Sequence, residues 1–138
     1  MMAQSVIYRG VGRHDLRGGI TVSDVKIDAV RSSSSEVLGR ARSEARGHTL
    51  FLDSSSRPQA DAFTNSEAFL GGVSSCGVTL IEMHAKESGI PVTRIDVTIE
   101  GARTAAEPNR FATVTMTFEI AGVSQAQADE LVATYRGR

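Results

Sequence analysis

The chain has 138 residues, 41% of them hydrophobic, which is the size of one ordinary domain with enough apolar material to bury a core. Thirteen Arg and two Lys are interspersed with sixteen acidic residues for a formal net charge of -1, and this even mixture argues against a nucleic-acid partner or an anionic membrane surface. No apolar run approaches a membrane span, and the opening "MMAQSVIYRG" lacks the charged-then-apolar order of a signal peptide, so a cytoplasmic protein is expected.

Alternating apolar residues in "SVIYRGVG" (Val6, Tyr8) and "ITVSDVKIDAV" (Ile20, Val22, Val25, Ile27) predict two strands joined through Gly18-Gly19 as an N-terminal hairpin. In "RSSSSEVLGRARSEARGHTLFLD" a serine loop precedes strand-like residues and ends in the apolar run Thr49 to Leu52. Glu36 to Arg46 suits helix or strand by composition and is assigned to strand. The polar "SSSRPQADAFTNSE" reads as an exposed loop.

Thr64 followed three residues on by Glu67 fits a capping box at a helix start. Phe69, Leu70, Val73, Cys76, Gly77, Leu80, Ile81 and His84 then recur at three- and four-residue spacing, the pattern of a helix face turned to a core. Gly71-Gly72 lowers helix propensity there and points to close approach of another backbone; Gly89 with Pro91 beyond it ends the helix. "VTRIDVTIEG" and "RFATVTMTFEIAG" alternate almost strictly and predict two long antiparallel strands. A second helix follows, with Ser124 and Gln127 as its capping box and Leu131, Val132 and Tyr135 on its apolar side. The order β-β-β-α-β-β-α indicates an α+β domain spanning residues 1–138, with helices packed on antiparallel sheet.

Cys76 is the single cysteine, so no internal disulfide can form, and His14, His48 and His84 are dispersed without metal-ligand spacing. Nothing in the sequence indicates a metal, nucleotide or flavin cofactor. An unpaired cysteine in an apolar helix is by default a small buried hydrophobe.

Several stretches, in order, alter that default. "GHTLFLD" with its polar loop, "NSEAFLGGVSSC", and "GVTLIEMHAKESGIPVTRIDVTIEG" resemble the OsmC/Ohr group of thiol-dependent hydroperoxide reductases, with Glu67 nine residues before Cys76. The resemblance implies an intertwined homodimer whose central helices lie against each other, with two active sites at the interface. It implies that Cys76 is the peroxidatic residue, attacking the O–O bond of an organic hydroperoxide and becoming a sulfenic acid. The thiolate is the required nucleophile, and the cysteine stands too far along its helix for the dipole to assist, so a cation must stand beside it. By resemblance that cation is an N-terminal-region arginine held by Glu67; "GVGRHDLRGG" offers Arg13 first and Arg17 second.

The resolving cysteine that such enzymes carry after the second helix is absent from these residues, which end "LVATYRGR". The chain is therefore truncated, or a one-cysteine member served by an external thiol reductant, or a relative without peroxidase chemistry. The alternatives to catalysis are a dimer holding a small hydrophobic ligand in an apolar pocket lined by Phe63, Phe69 and Met83, and a structural dimer in which Cys76 is buried and inert.

Overall fold

The structure, a computed structural model, describes residues 26–137. The expected N-terminal hairpin lies outside these residues except at its end, where Ile27 sits in irregular chain. Lys26–Val30 belongs to an N-terminal unit, and the elements below all fall in the compact unit that begins at Arg31.

Three strands follow one another in an antiparallel meander: β1 (Arg31–Ser34), β2 (Arg40–Ala45) and β3 (His48–Asp53). The serines of β1 read as loop from sequence, yet Arg31–Ser34 is a strand. Serine favours turns when a chain has no pairing partner, but here β2 supplies one, and Ser32 Oγ lies 2.9 Å from Ser43 Oγ across the pair. The strand assignment for Glu36–Arg46 holds for Arg40–Ala45, preceded by a turn. β2 and β3 are joined by the two-residue turn Arg46-Gly47, both at positive φ (51° and 81°), the geometry that suits the twist of a tight hairpin. A short β4 (Phe63–Thr64) adds to β3 in parallel.

The loop between β3 and β4 is fastened by an arginine. Arg40 on β2 donates from Nε to Asp53 Oδ1 at 2.7 Å and from Nη2 to Asp53 Oδ2 at 3.1 Å. Its Nη1 and Nη2 also reach Asp61, at 3.1 and 2.5 Å. Asp53 is fully buried and accepts a further bond from the Gln59 N–H at 3.0 Å. These hydrogen bonds from Arg40 hold the carboxyls of Asp53 and Asp61 below the usual aspartate range. Depressed carboxyls contribute stability that is complete above the unfolded-state value, about 3.9, and is lost as pH falls through the lower folded value. We expect urea midpoints to hold near neutrality and to drop below about pH 4. Asp53→Asn should narrow the difference between pH 7 and pH 3; an unchanged difference would place the acid-labile groups elsewhere.

Helix α1 (Asn65–Glu87) starts at the expected capping box: Thr64 Oγ1 accepts from Glu67 N–H, and Thr64 N–H donates back to Glu67 Oε2 at 2.7 Å. It ends where Gly89 takes φ 68°, with Ile90 N–H donating to Ala85 O at 2.9 Å and closing the last turn. β5 (Arg94–Ala102) and β6 (Thr113–Ala121) form a separate antiparallel pair in register along all nine residues. Helix α2 (Gln125–Arg136) begins at the Ser124/Gln127 capping box.

The core lies where α1 and α2 meet the β5–β6 pair. Ile81, Ala85 and Leu131 are buried, and Ile95, Phe118, Ile120, Val132 and Tyr135 pack around them. Gly77 is buried against the sheet because a Cβ there would come within 3.2 Å of Phe118 and 3.3 Å of Met116.

Candidate active site around Cys76

A 23-residue helix turns 100° and rises 1.5 Å per residue, so positions seven apart share a face and positions nine apart oppose one another. Phe69, Cys76 and Met83 are spaced by seven and all three are exposed, Phe69 by 60% and Met83 by 58%. Gly72 and Thr79 fall between them on the same face and are also exposed. The opposite side carries Gly77, Ile81 and Ala85 into the core. The expectation that Phe69 and Cys76 share the core-facing side is therefore corrected: within the protomer both are exposed. α1 is apolar on two sides, and only one of them is covered by its own chain in the described residues.

Glu67 stands in the first turn, nine residues before Cys76, about 13 Å along the axis and on the other side of the helix. Its carboxyl is held below the ordinary glutamate range, first by the Thr64 N–H and then by the Thr64 hydroxyl. A single protomer thus does not bring Glu67 and the Cys76 thiol together. Arg13 and Arg17 lie outside the described residues. Phe63, 63% exposed on β4, lines a separate hollow with Ala60, Asp61 and Ala62.

Gly71 and Gly72 have open space where a Cβ would project, with nothing among the described residues within 4 Å. They make no close packing inside the described protomer.

Two residues not singled out from sequence adjoin this face. Phe111, just before β6, stacks on Phe69 with ring centroids 6.3 Å apart and planes 18° from parallel, and the Arg103 guanidinium carbon lies 4.0 Å from the Phe111 centroid. A signal for them was present, since Gly101 interrupts the apolar alternation of β5, and a lone glycine in a strand marks close approach of another group. The Arg40–Asp53–Asp61 cluster carried no comparable signal.

The sequence profile of a family described as OsmC-like protein matches residues 58–138, well over half of the chain. This chain belongs to the OsmC-like family. The match takes in α1 with Cys76, the β5–β6 pair and α2. Comparison with curated proteins gave no match.

Solved structures share the fold of this OsmC-like chain at low identity. An OsmC-like protein from Mycoplasma pneumoniae superposes with TM-score 0.70 at 18% identity, covering 82% of each chain. The organic hydroperoxide resistance protein OsmC from Legionella pneumophila, also described as a predicted redox protein, gives 0.62 at 20% identity over 82% of this chain and 84% of that one. The organic hydroperoxide resistance protein OhrB of Bacillus subtilis gives 0.58 at 16% identity over 81% and 84%. The α+β architecture expected from sequence is thus that of the family. Among the described residues of the OsmC-like chain, no helix is long and apolar enough to cross a membrane.

Proposed function

We propose that this protein is a thiol-dependent organic hydroperoxide reductase with Cys76 as its nucleophile. The observation that carries the reading is the exposed Cys76 on the apolar Phe69–Met83 face of α1, in a chain of the OsmC-like family. In the first step the Sγ thiolate attacks one peroxide oxygen. The O–O bond breaks, sulfur is oxidised to a sulfenic acid, and the departing alkoxide takes a proton to leave as an alcohol. An external thiol then attacks the sulfenic sulfur and releases water, and a second thiol reduces the mixed disulfide. One hydroperoxide and two thiols give one alcohol, one water and one disulfide.

The site is completed by a second copy of the chain. Phe69, Gly72, Cys76, Thr79 and Met83 form a seam at alternating three- and four-residue spacing, the pattern with which helices pack side by side. The open space over Gly71 and Gly72 supports close approach of a partner. In such a homodimer, Glu67 of one protomer serves Cys76 of the other and anchors Arg13 or Arg17 beside the thiolate, which accounts for a carboxylate that its own protomer keeps away from the sulfur. Phe69 and Met83 supply the apolar contact for the substrate. The reaction belongs in the cytoplasm, where small thiols are abundant.

The test is consumption of cumene hydroperoxide by the purified protein with dithiothreitol, following alcohol and oxidised dithiothreitol together. Equimolar products at many turnovers per protein are expected. Consumption no faster than with dithiothreitol alone would overturn the reading and favour a dimer that binds a small hydrophobic ligand without chemistry, to which the Phe69–Phe111 stack is also suited. Arg13→Met and Arg17→Met, made separately, should identify the activating residue: one of them slows alkylation of Cys76 at pH 6, and if neither does, the activation scheme is wrong.

A further inference from the structure

Gly101 sits inside β5, where the absence of a side chain weakens a strand. A Cβ at this position would lie 2.4 Å from Phe111 Cε1 and 2.6 Å from Cδ1. The missing side chain is what lets the Phe111 ring lie across the strand, and the ring in turn stacks on Phe69 and beneath Arg103. Arg103 Nη2 donates to Ser66 Oγ at 2.7 Å. The end of β5, the segment leading into β6 and the first turns of α1 are thereby joined in one shelf, apolar along Phe69 and Phe111 and cationic at Arg103.

Among the described residues, no carboxylate pairs with the charge at the end of this shelf. Arg110, in the same loop, is neutralised by Glu107 at 2.7 Å, whereas the partners of Arg103 among the described residues are a hydroxyl and an aromatic ring. A guanidinium offers five donors in a rigid fork suited to planar oxyanions. Beside it is an open cavity of about 500 Å³ lined by Arg103, Asn65, Ser66, Asn109 and three consecutive serines, Ser54, Ser55 and Ser56. Apart from Pro108, hydroxyls, amides and one cation surround it, with no carboxylate among its lining residues.

We propose that this shelf binds an amphipathic organic anion, with its apolar body on Phe69 and Phe111 and its carboxylate, sulfonate or phosphate on Arg103. Phe69 precedes Cys76 by seven residues on one helix face, about 10 Å. If the hydroperoxide reading holds, on which this last step rests, the anionic group and the reacting O–O bond lie at opposite ends of one substrate.

A matched pair of fluorescent probes tests binding without any chemistry: 8-anilinonaphthalene-1-sulfonate and the neutral N-phenyl-1-naphthylamine, which share an aromatic body. The wild-type protein should bind the sulfonate more tightly. Arg103→Gln should lower the sulfonate-to-neutral affinity ratio about tenfold, the scale of one charge-assisted hydrogen bond. Arg103→Lys should restore part of that ratio, and Phe111→Leu should weaken both probes together. An unchanged ratio in Arg103→Gln, or no saturable sulfonate binding by the wild type, would overturn the proposal. Hydroperoxide turnover is scored apart from this: Arg103-dependent sulfonate binding without turnover sinks only the reductase reading, and turnover with an unchanged ratio sinks only the anion site.

Discussion

Cys76→Ser should reduce dithiothreitol-dependent consumption of cumene hydroperoxide to the rate of dithiothreitol alone, a complete loss. Serine has nearly the same shape, but its hydroxyl stays protonated at neutral pH and oxygen has no counterpart to the sulfenic acid that stores the oxidising equivalent. The replacement should leave the fold intact, because Cys76 lies outside the protomer's core and serine keeps a side chain of nearly the same size at the seam. Loss of activity with an unchanged melting curve is therefore the expected pair of results. Substantial activity in the serine variant would show that the peroxide is reduced elsewhere, since no second cysteine is present to take over.

Ile81→Ala should cost about 2–5 kcal/mol of stability, the range for removing large aliphatic side chains from a packed core. Ile81 is 1% exposed where α1 meets α2 and the β5–β6 pair, with Ala85 and Leu131 as its fully buried neighbours. So few buried apolar side chains in the described residues leave little material to fill the cavity. Domains of this kind have about 5–15 kcal/mol in total, so the variant should unfold at a visibly lower urea concentration. Ile81→Val, which removes one methylene, should cost about 0.5–1.5 kcal/mol. If the alanine variant unfolds at the wild-type midpoint, the core is not where the packing indicates.

Local signals carried much of this fold. Thr64/Glu67 and Ser124/Gln127 each place a hydroxyl three residues before an acceptor, and both helices begin there because that chemistry is complete within four residues. The alternation in β5 and β6 was equally legible, since one face packs on α1 and α2. β1 was not, because its serines extend only when β2 is present. The orientation of α1 is not legible for a related reason: spacing of three and four fits both apolar sides of this helix, and only tertiary packing decides which side the chain covers itself. Cys76 was found through resemblance rather than through periodicity. Phe69 and Met83 were brought onto its face and Phe63 was not, while Phe111 and Arg103, some thirty residues further on, come alongside only through the turn at the end of β5.

Arg40 and Asp53 are direct partners in the β2–β3 pairing, at the end of the hairpin away from its turn. Shifting a strand by one residue sends each of its side chains to the opposite face. A slipped hairpin would strand a buried carboxylate without its guanidinium and would free Asp61 and the loop leading to α1. The ion pair thus acts as a proofreader of strand alignment: a misaligned pairing leaves a buried carboxylate without its guanidinium, and the loop leading to α1 is tied to the hairpin through that same guanidinium.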